Sequence, residues 1–381
     1  MKSLFYFSLS LIVASCTTLP KSQVDHSRFI GMGMVEIERN PRFDRGAALG
    51  SFAYPIRFSE SDYFVGTLGG TFGRFHTPSG SFKWKKTFQI GVTSRPAIRG
   101  NRVYIGAMNG FVYCYDLNNG KEVWKKKLSA ESLGNLVMGE EYLYVATSDN
   151  VLWALNIQTG DEQWTLRRPS PNAAYYWSLR GNTSGVLSPN KKILYLGFSD
   201  GVVVAVKALS GESLWERSFT RPGRFQDADT EPVLSPNGST LYVALPDHSI
   251  QVLRTSDGAS VDSFSESSGF VPLLNFKEDT ITYTTVNGSV RKYSLSTKKL
   301  LWQLDLKNRG MGVEFYDLGN GELLMTSTHY GLHLIDAKKG TLIDEHYLGE
   351  GVLSRPVSDG SRIFVMTGRG RLAFIKLKNK T

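Results

Sequence analysis

Residues 103–124 read VYIGAMNGFVYCYDLNNGKEVW. VYIG is a short β-branched and aromatic run, AMNG is a turn whose Gly110 can take positive φ, and FVYCYD alternates as a second strand. LNNG is a further turn closed by Gly120, and KEVWKKKL continues as a third strand that sets Trp124 among lysines. Such a unit is a hairpin and a half. It cannot bury its own apolar faces, so it requires neighbours of the same kind.

The neighbours are in the sequence. The position of Gly110 recurs as Gly70, Gly110, Asn150, Gly201, His248, Gly288, Gly331 and Gly370, at intervals of 40, 40, 51, 47, 40, 43 and 39 residues. About ten residues later come Gly80, Gly120, Gly160, Gly211, Gly258 and Gly340, and four beyond those Trp84, Trp124, Trp164, Trp215 and Trp302. A β-sandwich, or a pair of them, does not explain a fixed period from Gly70 to Gly370, and no helical periodicity appears outside the N-terminus. The pattern predicts an all-β fold, an eight-bladed β-propeller with four-stranded antiparallel blades. A closed propeller is one domain whatever its blade number, so the length of 381 residues needs no division. The eighth repeat ends at LKNKT without the outer strand that carries Trp elsewhere. In GMGMVEIERN (31–40), Val35 and Ile37 alternate with Glu36 and Glu38, and an N-terminal strand near 33–39 is expected to close the ring and leave no edge open.

The opening MKSLFYFSLSLIVASC has one Lys, an apolar run too short to span a bilayer and a small-residue end, the pattern of a secretory signal. Val13, Ala14, Ser15 and Cys16 resemble a bacterial lipobox, in which the Cys becomes the acylated first residue of the mature chain. An ordinary signal with a chance Cys is the alternative. With lipid on Cys16 the organisation is a signal peptide over 1–15, a lipidated tether over 16–27 and a propeller over 28–381. Thr17 rather than Asp after the Cys implies, in this resemblance, the outer membrane. Cys114 is then the one remaining cysteine, so no intrachain disulfide is expected. Its place between Tyr113 and Tyr115 reads as a small packed hydrophobe. The formal charge of +9, which falls to +8 when Lys2 leaves with the signal, is concentrated in KWKK (83–86) and WKKK (124–127). Both are outer-strand positions, a solvated rim rather than a nucleic-acid site.

The run of Gly, two or three residues and Trp after a turn, as in TGDEQW (159–164) and SGESLW (210–215), resembles the quinoprotein-type repeat. Pyrroloquinoline-quinone dehydrogenases share it with the BamB family of outer-membrane propeller lipoproteins. SPNKKILYL and SPNGSTLYV also look like the turn-and-strand signature of lactonase-like propellers, although that signature is mostly turn chemistry. The likeness to the BamB family covers nearly the whole mature chain. The lipobox favours it over the enzymes, and so does the lack of an adjacent cysteine pair and of an Asp, Glu and Asn cluster suited to Ca²⁺ beside a quinone.

The two long intervals carry the remaining argument. Each holds extra residues in a connection from the outer strand of one blade to the inner strand of the next, and such connections share one face, where a scaffold grows a binding site. They contain YYWSLRG (175–181) and RFQDADTEPV (224–233). In the BamB family the corresponding segments carry SLRG and an Asp-x-Asp-Thr-x-Pro run and dock on a periplasmic POTRA domain of BamA. The resemblance implies that Leu179, Arg180, Asp227 and Asp229 form this surface here, joined by Trp177, which stands where the family has an aliphatic residue. Trp and Arg dominate interface energies, and carboxylates beside them can orient an Arg or accept from a strand edge. Alternatively, Arg180 and the aspartates bond one another and hold the loops together.

Other chemistry is sparse. His329 and His333 flank YG, on opposite arms of a turn or some 13 Å apart along a strand, too far for a shared metal. Asp247 and His248 belong to a turn, and no Ser or Cys has a base partner. The expected function is therefore non-enzymatic, with no catalytic residues, metal or cofactor. It is a scaffold of the outer-membrane barrel assembly machinery, lipid-anchored and facing the periplasm. It binds BamA POTRA domains as a monomer within a hetero-complex and assists unfolded outer-membrane protein precursors. A periplasmic quinoprotein or lactonase type enzyme, with carboxylates and a metal or cofactor converging in the funnel, is the alternative, and a cell-surface binding module is a third.

Overall fold

The quoted stretch forms three strands of one blade, Arg102–Gly106, Phe111–Asp116 and Glu122–Lys127. The computed structural model describes residues 28–36, 55–67, 69–92, 94–132, 134–169, 184–219, 228, 230–245, 249–306, 309–358, 362–368 and 370–378 of the chain. Eight four-stranded antiparallel sheets follow one another. Blade 1 spans residues 56–87, blade 2 97–127, blade 3 137–167, blade 4 185–218, blade 5 233–264, blade 6 273–305 and blade 7 312–347. Blade 8 combines 357–377 with the strand Phe29–Glu36. The two middle strands of each blade are almost wholly buried, and the outer strand alternates, as Glu122–Lys127 shows with Trp124 buried among exposed neighbours. The core lies between blades: Tyr104, Val112 and Cys114 of blade 2 pack with Leu143, Val145 and Leu155 of blade 3. Cys114 is fully buried there, and burial pushes its thiol up to about 11, consistent with a packing role. KWKK and WKKK lie on the outer strands of blades 1 and 2, where Lys126 meets Glu162 of the next blade at 3.6 Å.

The Gly and Trp markers are two halves of one joint. Trp84 Nε1 donates to Leu117 O (3.1 Å), Trp124 to Ile157 O (3.1 Å), Trp164 to Ala208 O (3.1 Å), Trp215 to Thr255 O (2.8 Å) and Trp302 to Ala337 O (3.0 Å). Each indole thereby seats on the following blade's outer turn. Its face covers the turn glycine, so that a Cβ at Gly160 would fall 2.6 Å from Trp124 Cε3, at a φ of +78° that already favours glycine. Just beyond each Trp position in the hairpin a β-bulge recurs, at Arg74/Phe75, Cys114/Tyr115 and their counterparts through blade 7.

In blades 5 and 7 the position held by Trp elsewhere is an aspartate. Asp262 pairs across the hairpin with Val252, and Asp344 with Leu334, as Trp215 does with Ala205. Lys298 replaces the turn glycine opposite Asp262, at φ +60°, and its Nζ lies 2.5 Å from the carboxylate. Opposite Asp344 the chain supplies its own N-terminal segment. The backbone N–H groups of Arg28 and Phe29 donate to Asp344 Oδ2 (2.9 and 3.0 Å), and the Arg28 guanidinium forks onto the buried Glu322. This anchor moves the closing strand. It pairs from Phe29 opposite Leu377 to Glu36 opposite Arg371, starting four residues before the expected 33–39, and residues 37–39 lie outside the described residues.

Candidate functional site

Seven connections lead from one blade's outer strand to the next blade's inner strand. Those at 168–184 and 219–232 exceed the rest, such as 88–96, 128–136 and 306–311. Trp177, Leu179, Arg180, Asp227 and Asp229 lie outside the described residues, as do Cys16, the tether over 16–27, Asp247 and His248. The frame around the two loops is defined. At the start of the first, Arg168 donates through Nε to Asp200 (2.8 Å) and through Nη1 to Glu216 (2.8 Å), and Asn150 Nδ2 donates to Pro169 O (3.1 Å). Between the two aspartates of the second, Ala228 is fully buried and its N–H donates to Phe198 O (3.0 Å). Gly197 admits it, since a Cβ there would fall 1.6 Å from Ala228 O.

Both loops end at one residue. Asn135, preceding the inner strand of blade 3, has its N–H accepted by Ser184 Oγ (2.8 Å) and donates through Nδ2 to Glu231 Oε2 (2.8 Å), while its Oδ1 accepts from Arg95 N (3.2 Å). Ser184 closes the first loop and Glu231 falls near the end of the second. The described ends of the two insertions thus meet at the mouth of the channel that the inner strands surround.

That mouth carries charge the sequence reading missed. Glu314 of blade 7 feels Arg355 of blade 8, Glu231 before blade 5 and Arg95 before blade 2. Side chains from such separated blades approach one another on the axis. Burial pushes the Glu314 carboxyl up to about 7, against the pull of Arg355 and with the repulsion of Glu231. Glu314 lies in a bulge between Gly312 and Phe315, where its N–H is accepted by Thr326 Oγ1 (3.2 Å). The available signal was a charged residue before proline at one place in three repeats, Arg95-Pro96, Glu231-Pro232 and Arg355-Pro356, where proline extends the preceding residue.

Two carboxylates therefore converge in the funnel, half of what the enzymatic alternative requires. Two guanidinium groups converge with them, and among the described residues no three His, Cys, Asp or Glu side chains are placed to hold a metal ion. The donor set does not fit a calcium-bound quinone. The histidines have separate partners: His333, fully buried, has Nε2 3.0 Å from Ser327 Oγ, and His329 Nδ1 lies 2.7 Å from Thr328 Oγ1.

Eight four-stranded blades, five of them joined to the next by an indole seated on a glycine turn, define a propeller of the pyrroloquinoline-quinone-like repeat class. Within that class, the family model described as outer membrane protein assembly factor BamB matches residues 69–271 and 286–380, and the chain belongs to this family. Outer membrane protein assembly factor BamB of Burkholderia pseudomallei is 25% identical over 325 residues, 83% of this chain and 82% of its own. Among solved structures, BamB from Moraxella catarrhalis superposes with a TM-score of 0.74 at 17% identity, over 91% of this chain and 99% of its own. The quinohemoprotein alcohol dehydrogenase of Comamonas testosteroni shares the fold at a TM-score of 0.69 and 13% identity, over 92% of this chain and 77% of its own.

Proposed function

We propose that this propeller is a non-enzymatic scaffold subunit of the outer-membrane barrel assembly complex, anchored through lipid on Cys16 and docked by its two long loops on a POTRA domain of BamA. In this reading Trp177 and Leu179 supply the apolar anchor, Arg180 the central cation, and Asp227 and Asp229 the carboxylates that orient it or accept from a strand edge. Family membership supports the complex. What supports the docking face is Asn135, whose contacts with Ser184 and Glu231 bring the described ends of the two loops to one residue. In this reading the ring holds a partner domain while barrel precursors are passed on.

Arg180→Ala tests the assignment by pull-down with the periplasmic domains of BamA. It is expected to weaken binding by about 2 kcal/mol or more, as central interface truncations do, with unchanged thermal unfolding. Lys85→Ala on the outer strand of blade 1 is the matched control and should leave binding unchanged. Normal binding by Arg180→Ala would remove the docking assignment, and unfolding would make Arg180 a loop staple instead.

A further inference from the structure

The turns between third and outer strand lie at the end of the ring opposite the long connections, because each outer strand runs from its own turn to the connection that follows. On blades 4 and 5 the charges at these turns are matched, Lys207 with Glu212 (2.8 Å) and Arg254 with Asp257 (2.7 Å). On blades 6 to 8 they are not. Lys299, Lys338, Lys339, Lys376 and Lys378 are exposed, and none of the five has an ion-pair partner among the described residues. Nearby acids are taken: Asp262 by Lys298 (2.5 Å), Glu278 by Lys292 (3.5 Å) and Glu322 by Arg28 (2.8 Å). Asp336 accepts the N–H groups of Lys338 and Lys339 (2.9 and 2.8 Å), and Asp279 and Asp317 belong to the inner hairpins. The joints bring these lysines into one run. Ala337 O, just before Lys338, accepts Trp302 Nε1 (3.0 Å) from the outer strand whose first residues, Leu300 and Leu301, are 49% and 50% exposed. Asp344, on the strand after Lys339, takes the N–H groups of Arg28 and Phe29, and Arg28 O accepts Lys378 N (2.8 Å). The N-terminal segment therefore joins the ring within this patch.

We propose that this end of blades 6 to 8 is a membrane-contact surface, where the lysines meet the phosphates of an anionic phospholipid bilayer and Leu300 and Leu301 sit at the headgroup level. The inference rests on Cys16 as the lipid anchor, which sets what lies within reach. Even fully extended, the twelve residues 16–27 span about 40 Å, and they join the ring at Arg28. An acyl anchor and a basic surface are the two signals that together hold a protein on a bilayer. Exposed leucines beside unmatched lysines suit a partner that is anionic at its surface and apolar beneath. An acidic protein would answer the lysines but not the place where the tether joins. The long connections are then turned away from the bilayer and stay open to a partner domain.

Amine labelling of the full chain, read by mass spectrometry on vesicles of phosphatidylcholine alone and of phosphatidylcholine with phosphatidylglycerol, tests it. Flotation with the neutral vesicles reports the lipid on Cys16, and the difference in labelling between the two compositions reports the patch, so the two fail separately. On the anionic vesicles Lys338, Lys339 and Lys376 should label about fivefold or more slowly than on the neutral ones, and high salt should abolish the difference. Lys85 and Lys125, on the outer strands of blades 1 and 2, should label alike on both. Lys338→Gln combined with Lys339→Gln should return Lys376 to near its rate on neutral vesicles. Equal labelling on the two compositions would overturn the proposal and leave the lysines to solvent or an acidic protein, and equal protection of Lys85 and Lys125 would overturn it in favour of attraction by net charge.

Discussion

The joint between blades 2 and 3 and the joint between blades 7 and 8 do the same task with opposite chemistry. In the first, Trp124 lays its ring on Gly160 and gives its N–H to Ile157 O, a contact made of area with one polar handle. In the second, Asp344 stands at the Trp position and takes two backbone N–H groups from the closing strand, while Arg28 neutralises Glu322 beside it. The difference follows from chain continuity. Blades 2 and 3 are consecutive in sequence, so their joint needs only to pack. Blade 8 must recruit its outer strand from the other end of the chain, and a directional, charged clamp fixes where that strand starts.

The comparison breaks most visibly at the indole. Trp124→Ala should lower the unfolding free energy by about 3–5 kcal/mol in denaturant titration, because an 8% exposed indole leaves a cavity and Ile157 O loses one of its donors while keeping Tyr104 Oη. Arg28→Ala should cost about 3 kcal/mol, since it takes the guanidinium from a fully buried Glu322 carboxylate and leaves that charge with the neutral donor of Asn320, and limited proteolysis should then release the N-terminal strand first. If Arg28→Ala unfolds the ring without that preference, the clamp does not direct closure.

A smaller effect separates charged from apolar joints by pH. Asp62 in blade 1 is buried, which alone would raise its carboxyl, but hydrogen bonds from Arg74, His76 and Lys83 prevail and lower it from 3.8 to about 2. A depressed acid contributes stability above its unfolded value and loses it as pH falls through the folded one. The ring should therefore lose on the order of 1–2 kcal/mol between about pH 4 and pH 2, and Asp62→Asn should flatten that part of the curve. Unchanged acid sensitivity in Asp62→Asn would place the loss in other carboxylates.

Much of the ring was legible because its largest features are periodic. Turn glycines and outer-strand tryptophans recur every 40 residues or so, and the strands between them alternate. Three features were not legible, each for a physical reason. The innermost strands, such as Val137–Met138, are too short to show alternation. The aspartates at 262 and 344 broke the Trp marker, and only the paired register shows that they occupy its place. Glu314 falls in a bulge, which inserts one residue and leaves no trace in composition. The docking residues were reached by resemblance, and the structure adds the anchors of their loops at Arg168, Ala228 and Asn135 rather than the side chains themselves.

The joint between blades 5 and 6 sharpens the contrast at its weak end. It has an aspartate at the Trp position, like the closing joint, but none of the burial. The side chains of Asp262 and Lys298 are 37% and 35% exposed, and Lys298 also lies over the Phe264 ring at 4.2 Å. Water screens such a pair and salt weakens it further, so Lys298→Ala should cost less than about 1 kcal/mol, with most of that loss absent at high ionic strength. Lys298→Gly should cost less than the alanine variant, because the position holds φ at +60° and glycine relieves that backbone while removing the same charge. If Lys298→Ala instead approached the cost of Arg28→Ala, charge rather than burial would set the strength of these joints, and the distinction between a clamp that closes the ring and a pair that decorates it would fail.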